Sequence, residues 1–257
     1  KINMATYKKK YRPESKKEEN QIDESEFETA GVLNTLDETA SKSEQWIEQN
    51  SKPLFFTLIA IVVIVLGYMG YNKYVIEPQE REASNEIAFP RKYFDQAATA
   101  GSGIDSLLNL GLEGAEGNYG FLNIADKYSG TDAGNLANYY AGISYLQMKQ
   151  YDKAIEYLNK FKSDDEMLGP VSLGAIGDAF ADINQLEDAL NYYEKAASLK
   201  DNEFTSPLFL FKAGQAAMEL KEYSKAASLF AKISEDYSSS DQGKDIDKFI
   251  SAAKYAE

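Results

Sequence analysis

Tyr145–Phe161, YLQMKQYDKAIEYLNKF, returns at Phe180–Ala196 as FADINQLEDALNYYEKA and at Ala217–Ile233 as AMELKEYSKAASLFAKI. Ahead of each copy stands a glycine (Gly142, Gly177, Gly214) and within each an alanine (Ala154, Ala189, Ala226), both series at separations of 35 and 37 residues. In an antiparallel helix pair, a small residue on each helix lets the backbones approach while bulky neighbours fill the wedge. The spacing therefore predicts three stacked helical hairpins over residues 135–237, an all-α solenoid. Tyr145 and Phe180 take an aromatic place three residues after the glycine, where the third copy has Ala217. Ser206-Pro207 reads as a helix start, with Ser as cap and Pro in the first turn, and Gly169-Pro170 as a break and restart. A stack must cover its end faces. Residues 238–257, with DQGKDIDKFISAAKYAE, supply a capping helix. Gly120 lies 34 residues before Ala154, so Gly117–Asn135 reads as the second helix of a degenerate leading unit.

Outward from the repeats, the next decisive stretch is Leu54–Tyr71, LFFTLIAIVVIVLGYMGY, without a charge. At the helical rise it covers about 27 Å, close to the roughly 30 Å hydrocarbon core of a bilayer. Phe55, Phe56, Tyr68, Tyr71 and Tyr74 stand where interfacial aromatics belong. A buried core helix would alternate with polar residues, and Gly67-Tyr68-Met69 is a poor cleavage site, so residues 54–71 are expected to span a membrane uncleaved. Residues 72–134 join span to repeats, with helical pieces interrupted near Pro78 and Pro90 and a glycine-rich stretch from Gly101 to Gly120. Leu107, Leu108, Leu110 and Leu112 are expected to tuck against the first helices. Before the span, residues 1–25 carry Lys8, Lys9, Lys10, Arg12, Lys16 and Lys17 with few apolar residues, the composition of a disordered tail. Within residues 26–50, Phe27, Leu33, Leu36, Ala40 and Ile47 recur at helical spacings. That amphipathic helix either lies on the membrane or a partner, or only spaces the tail.

The 257 residues include 27 basic and 41 acidic ones, a net charge of −14, and neither His nor Cys. Such acidity argues against a nucleic-acid surface. Without imidazole or thiol, soft-metal sites, disulfides and most nucleophile–base arrangements drop out. Asp178 with Asp182, Asp164-Asp165-Glu166, and Asp245 with Asp247 are carboxylate clusters lacking the surroundings of a hydrolase or calcium loop. No enzyme activity, cofactor or metal is expected. Lys42 and Lys52 before the span, against Lys73, Arg81 and Arg91 after it, do not orient the chain. The basic start and the acidic remainder favour a cytoplasmic N-terminus and an exported C-terminal domain.

The repeated residues resemble the tetratricopeptide repeat over about Asn135–Glu235. The resemblance rests on Gly142, Tyr145, Tyr151 and Ala154, on Ile176, Gly177, Phe180, Ala189, Tyr193 and Ala196, and on Gly214, Tyr223, Ala226 and Phe230; Asn138, Leu173 and Leu210 stand at the usual Trp. The order of tail, span, linker and repeats, with YSGTDAGNLANYYAGISYL, is similar to the YfgM-like inner-membrane proteins. That resemblance implies a single-pass protein of the bacterial inner membrane with a periplasmic repeat domain. It also implies an ancillary subunit of the Sec translocon that binds a PpiD-like periplasmic chaperone, emerging polypeptides, or both. The residues equally fit a scaffold of another cell-envelope machine, of division or outer-membrane assembly. Carried over position by position, the repeat's groove is expected at Leu136, Tyr139, Ile143 and Leu146, at Val171, Gly174, Asp178 and Asp182, and at Leu208, Phe211, Gln215 and Met218. This set is apolar with an acidic centre. It lacks the Lys, Arg and Asn with which related domains clamp a terminal carboxylate, and it suits a partner helix or extended segment.

Overall fold

The computed structural model describes residues 46, 47 and 49–256, and every regular element among them is helical. The tail expected at 1–25 and nearly all of the helix expected at 26–50 lie outside the described residues. The chain divides into two compact units, 1–67 and 68–257. The boundary falls inside α1 (Ser51–Tyr71), which buries none of its side chains.

Beyond α1, a π-helical segment at Asn72–Ile76 leads into α2 (Glu77–Glu86), with Pro78 in its first turn. Proline has no N–H to donate, and its ring clashes with the carbonyl four residues back; the wider π turn, closed by Glu77 N–H to Asn72 C=O, absorbs both. Pro90 likewise sits in the first turn of α3 (Ala88–Thr99), where a missing N–H costs little. The expected interruptions are therefore local changes of register. Half of the glycine-rich stretch is itself helical, as α4 (Ile104–Glu113). Leu108 and Leu112 are buried, Leu107 is half-buried and Leu110 stays exposed. Gly114 and Gly120 close the following loop so tightly that a Cβ on either would lie 2.6 or 2.3 Å from the other's nitrogen. Close backbone approach accounts for these two glycines.

α5 (Phe121–Lys127) packs with α6 (Asp132–Gln147), and the hairpins follow: α6 with α7 (Tyr151–Lys160), α8 (Leu168–Asp182) with α9 (Leu186–Leu199), and α10 (Thr205–Glu219) with α11 (Tyr223–Asp236). α12 (Ile246–Ala256) lies against α11. Each hairpin turns through one left-handed residue, Lys149, Asn184 or Lys221, with φ of 58°, 60° and 62°. In each turn that residue's N–H bonds to the carbonyl three back and the next N–H to the carbonyl five back, as in Lys149 to Leu146 and Gln150 to Tyr145. This is the Schellman closure of a helix C-terminus.

Ala154, Ala189 and Ala226 are fully buried, as the repeat predicts. The glycines act differently from the expected backbone contact. A Cβ on Gly142, Gly177 or Gly214 would run into the side chain of Leu158, Tyr193 or Phe230, each sixteen residues on, at 2.3–2.6 Å. The glycine makes a socket for a bulky residue of the second helix. The aromatic place after it pairs twelve residues on: Tyr145 with Tyr157 at 5.5 Å and Phe180 with Tyr192 at 5.4 Å, whereas Ala217 leaves that role to buried Leu229.

Helix starts also differ from the expectation. α10 begins at Thr205, and Asn202 Oδ1 accepts the N–H groups of Phe204 and Thr205 at 2.9 and 2.8 Å. Ser206, fully buried, instead donates to Lys200 C=O and accepts from Asn202 N–H. At α8 the corresponding acceptor is Asp165 Oδ1, 2.8 Å from the N–H groups of Met167 and Leu168, which hold its carboxyl below the usual range. The cap lies upstream of each Ser/Gly-Pro pair because a side chain must precede the open N–H groups it satisfies. The α6 N-terminus has two caps: Thr131 Oγ1 accepts from Gly134 N–H, and Glu80 of α2 accepts from the N–H groups of Asp132 and Ala133 at 2.6 and 3.2 Å.

Candidate partner-binding site

The residues expected to line the groove sit on the first helix of each hairpin, α6, α8 and α10, and the structure sorts them into two groups. Most apolar members pack between hairpins. Tyr139 lies 5.2 Å from the Phe161 ring, while Ile143 and Leu146 pack against the cluster of Leu158, Ala175 and Ile176. Leu208, Phe211 and Met218 pack on the core shared by α9–α12, and Phe211 meets Phe230 at 5.8 Å and Phe249 of α12 at 4.8 Å. Gly174 is occupied from outside its hairpin: its Cβ would lie 1.9 Å from the Phe209 ring. Leu136 and Val171 are half-buried. The next hairpin or the capping helix thus covers much of the apolar surface expected to be open.

The polar members come together. Asp182 and Gln215 line a cleft of about 350 Å³ between the second and third hairpins, together with Leu186, Tyr193, Lys212 and Glu219. Asp178 stands behind it, accepting from the Tyr193 hydroxyl at 2.7 Å and from Lys212 Nζ at 2.6 and 2.9 Å. Lys212 also lies 5.7 Å over the Tyr193 ring. Burial, then the Asp178 carboxylate, pushes the Tyr193 hydroxyl far up, so it remains a neutral donor. Because the Lys212–Asp178 pair is about one-third exposed on both sides, it fixes the geometry between hairpins more than it adds stability. A larger hollow, about 550 Å³ along Ser84–Thr99, lies on α2 and α3 outside the hairpins.

Lys212 is the residue that position-by-position reading missed. It lies one place beyond Phe211, and the signal for it was the lone charge in the apolar run LFLFKAGQAAM. The cleft offers carboxylate acceptors in Asp182 and Glu219, an amide in Gln215 and an apolar wall in Leu186. These groups hold side chains by hydrogen bonds and charge. Among the described residues, no cluster of three metal-ligating side chains is present.

With this geometry in hand, tetratricopeptide-repeat family models match residues 136–165, 171–203 and 209–240. The three hairpins are tetratricopeptide repeats, in an all-helical chain with one long apolar helix ahead of them. Neither a curated protein nor a solved structure matches the chain. Repeats of this kind are protein-interaction scaffolds, and they imply protein partners.

Proposed function

We propose that the protein is a membrane-anchored interaction protein that serves the Sec translocon as an ancillary subunit. Its repeat domain projects into the periplasm and binds a PpiD-like chaperone or emerging polypeptides. The observation that carries the reading is α1: an 18-residue window of mean hydropathy 2.4, none of it buried among the described residues, in a protein that also carries interaction repeats. Leaving so much apolar surface in water costs about 25 cal/mol per Å², a cost that a bilayer removes. The basic start and acidic remainder support the orientation. The cleft of Asp182, Gln215, Lys212 and Glu219 supplies one accessible contact surface on the repeats for the chaperone, with Tyr193 in its wall held by Asp178.

The chain has no cysteine, so single reporters test the topology directly. In spheroplasts, a membrane-impermeant maleimide should label Ser239→Cys and spare Ser25→Cys. From gently solubilised membranes, the protein should bring down the Sec channel and the chaperone, and Asp182→Lys with Gln215→Lys should lose the chaperone. Reversed labelling would discard the orientation. Recovery of division or outer-membrane assembly proteins in place of the channel would discard the translocon.

A further inference from the structure

The loops that join successive hairpins stack on one edge of the repeats. Asn202 Nδ2 donates to the Glu166 carbonyl at 3.1 Å, tying the loop before α10 to the loop before α8. The loop after α11 joins them, since Phe204 and Leu208 share a hollow with Ser239, Ser240, Asp241 and Gln242. Within residues 131–240, the large apolar side chains left exposed are Met167 (43%), Leu199 (44%) and Phe204 (73%), and all three lie on this edge. Met167 and Phe204 immediately precede α8 and α10, and the Leu199 side chain reaches to 3.0 Å from a Cβ built on Gly169. Core packing accounts for none of the three.

Around this apolar strip the charge is negative. Asp164, Asp165, Glu166, Asp201 and Glu203 lie on the two loops with Lys162 and Lys200. Asp165 is engaged in capping α8 and Asp201 by the Tyr237 hydroxyl. Asp164, Glu166 and Glu203 make no ion pair with any described residue. An apolar strip rimmed by uncompensated carboxylates is repelled by an anionic lipid surface and attracts an apolar segment carrying positive charge.

We propose that this edge is a second docking surface, for a cationic amphipathic helix of a protein partner, with Phe204 as the apolar anchor and Glu166 and Glu203 facing its basic side chains. It is distinct from the cleft between the second and third hairpins and does not depend on the translocon reading.

The test uses the full chain in phosphatidylcholine nanodiscs, with empty nanodiscs as blank. The probe is a fluorescein-labelled helical peptide with leucine on one face and lysine on the other, read by anisotropy. Saturable binding that weakens with added salt is expected. Met167→Ser with Phe204→Ser should reduce affinity on the order of tenfold or more. Glu166→Lys with Glu203→Lys, which leaves the apolar strip in place, should weaken binding similarly. Both variants should keep the wild-type melting temperature because the replaced side chains are exposed. Unchanged affinity in either variant, or equal binding of a leucine–glutamate peptide, overturns the proposal. So does loss of the peptide in Asp182→Lys with Gln215→Lys, which would place the contact in the cleft. Phenylalanine-dependent flotation with phosphatidylglycerol vesicles would make the edge a lipid contact, and also overturns it.

Discussion

Gly177→Ala should destabilise this protein, although the same change in an ordinary helix stabilises it. A Cβ at Gly177 would lie 2.6 Å from Tyr193 Cε1 and 2.7 Å from Cδ1, where ordinary contacts begin near 3.4 Å, so the ring must retreat by several tenths of an ångström. It has little room to do so. The Tyr193 hydroxyl is bound to Asp178 at 2.7 Å, and its ring stacks on Phe209, centroids 6.5 Å apart. Phe209 in turn fills the hollow over Gly174, so the push is carried into the third hairpin. Overpacking costs about 1–3 kcal/mol, and alanine returns about 1 kcal/mol of helix propensity, which leaves a net loss of up to about 2 kcal/mol. For a folded unit of this size, a loss at the upper end lowers the melting temperature by about 4–8 °C. Circular dichroism melts of the full chain in detergent measure it, with Gly177→Ala made also in a Tyr193→Ala background, where no side chain is left to fill the socket. There the substitution should be neutral or stabilising. A higher melting temperature for Gly177→Ala alone, or an equal loss in both backgrounds, would refute the socket.

Lys149→Gly and Lys221→Gly should each stabilise by up to about 1 kcal/mol, because a side chain at φ near 60° is strained, and Asn184→Gly by less; the same melts rank them. Asp165→Asn should lower the melting temperature at pH 7, with the gap closing in acid. The folded carboxyl titrates below its unfolded value near 4, so its stabilisation is complete above that value and is lost as pH falls through the folded one. Lys212→Met should cost about 1 kcal/mol or less in stability, since the pair is partly exposed, yet it should alter chaperone recovery by freeing Asp178 toward the cleft. An unchanged pull-down with Lys212→Met would remove that residue from the site.

The hairpins were legible because a repeated small residue marks a position where sterics admit nothing larger. Gly142, Gly177 and Gly214 say that something presses close, but not whether it is backbone or side chain. Only the fold reveals Leu158, Tyr193 and Phe230 in the sockets. Caps were misplaced because Ser206 has the right chemistry one turn too late, and Asn202 and Asp165 lie in loops whose path the sequence pattern does not specify. How open each groove position stays was not legible in the sequence. A position on the first helix of a repeat faces either an open surface or the neighbouring hairpin, and which one depends on how far the neighbour reaches. Phe211 is covered by Phe249 from a helix that shares no repeat pattern with it, and Gly174 by Phe209. Lys212 stayed hidden because its partner, Asp178, is on another hairpin.

The Glu80 cap on α6 sets where this domain can be trimmed. Its carboxylate reaches across 52 residues of sequence to close the first helix of the first repeat. Two residues on, Glu82 pairs with Lys127, and Ala83 is fully buried with Leu112 and Phe121. The folded body therefore starts well before the first residue of its repeat signature. A protease or a gene designer cutting just ahead of Asn118 would keep every repeat yet leave open N–H groups and a bare apolar face at the leading end. A cut between Ile76 and Glu80 would remove the apolar helix and keep that end sealed.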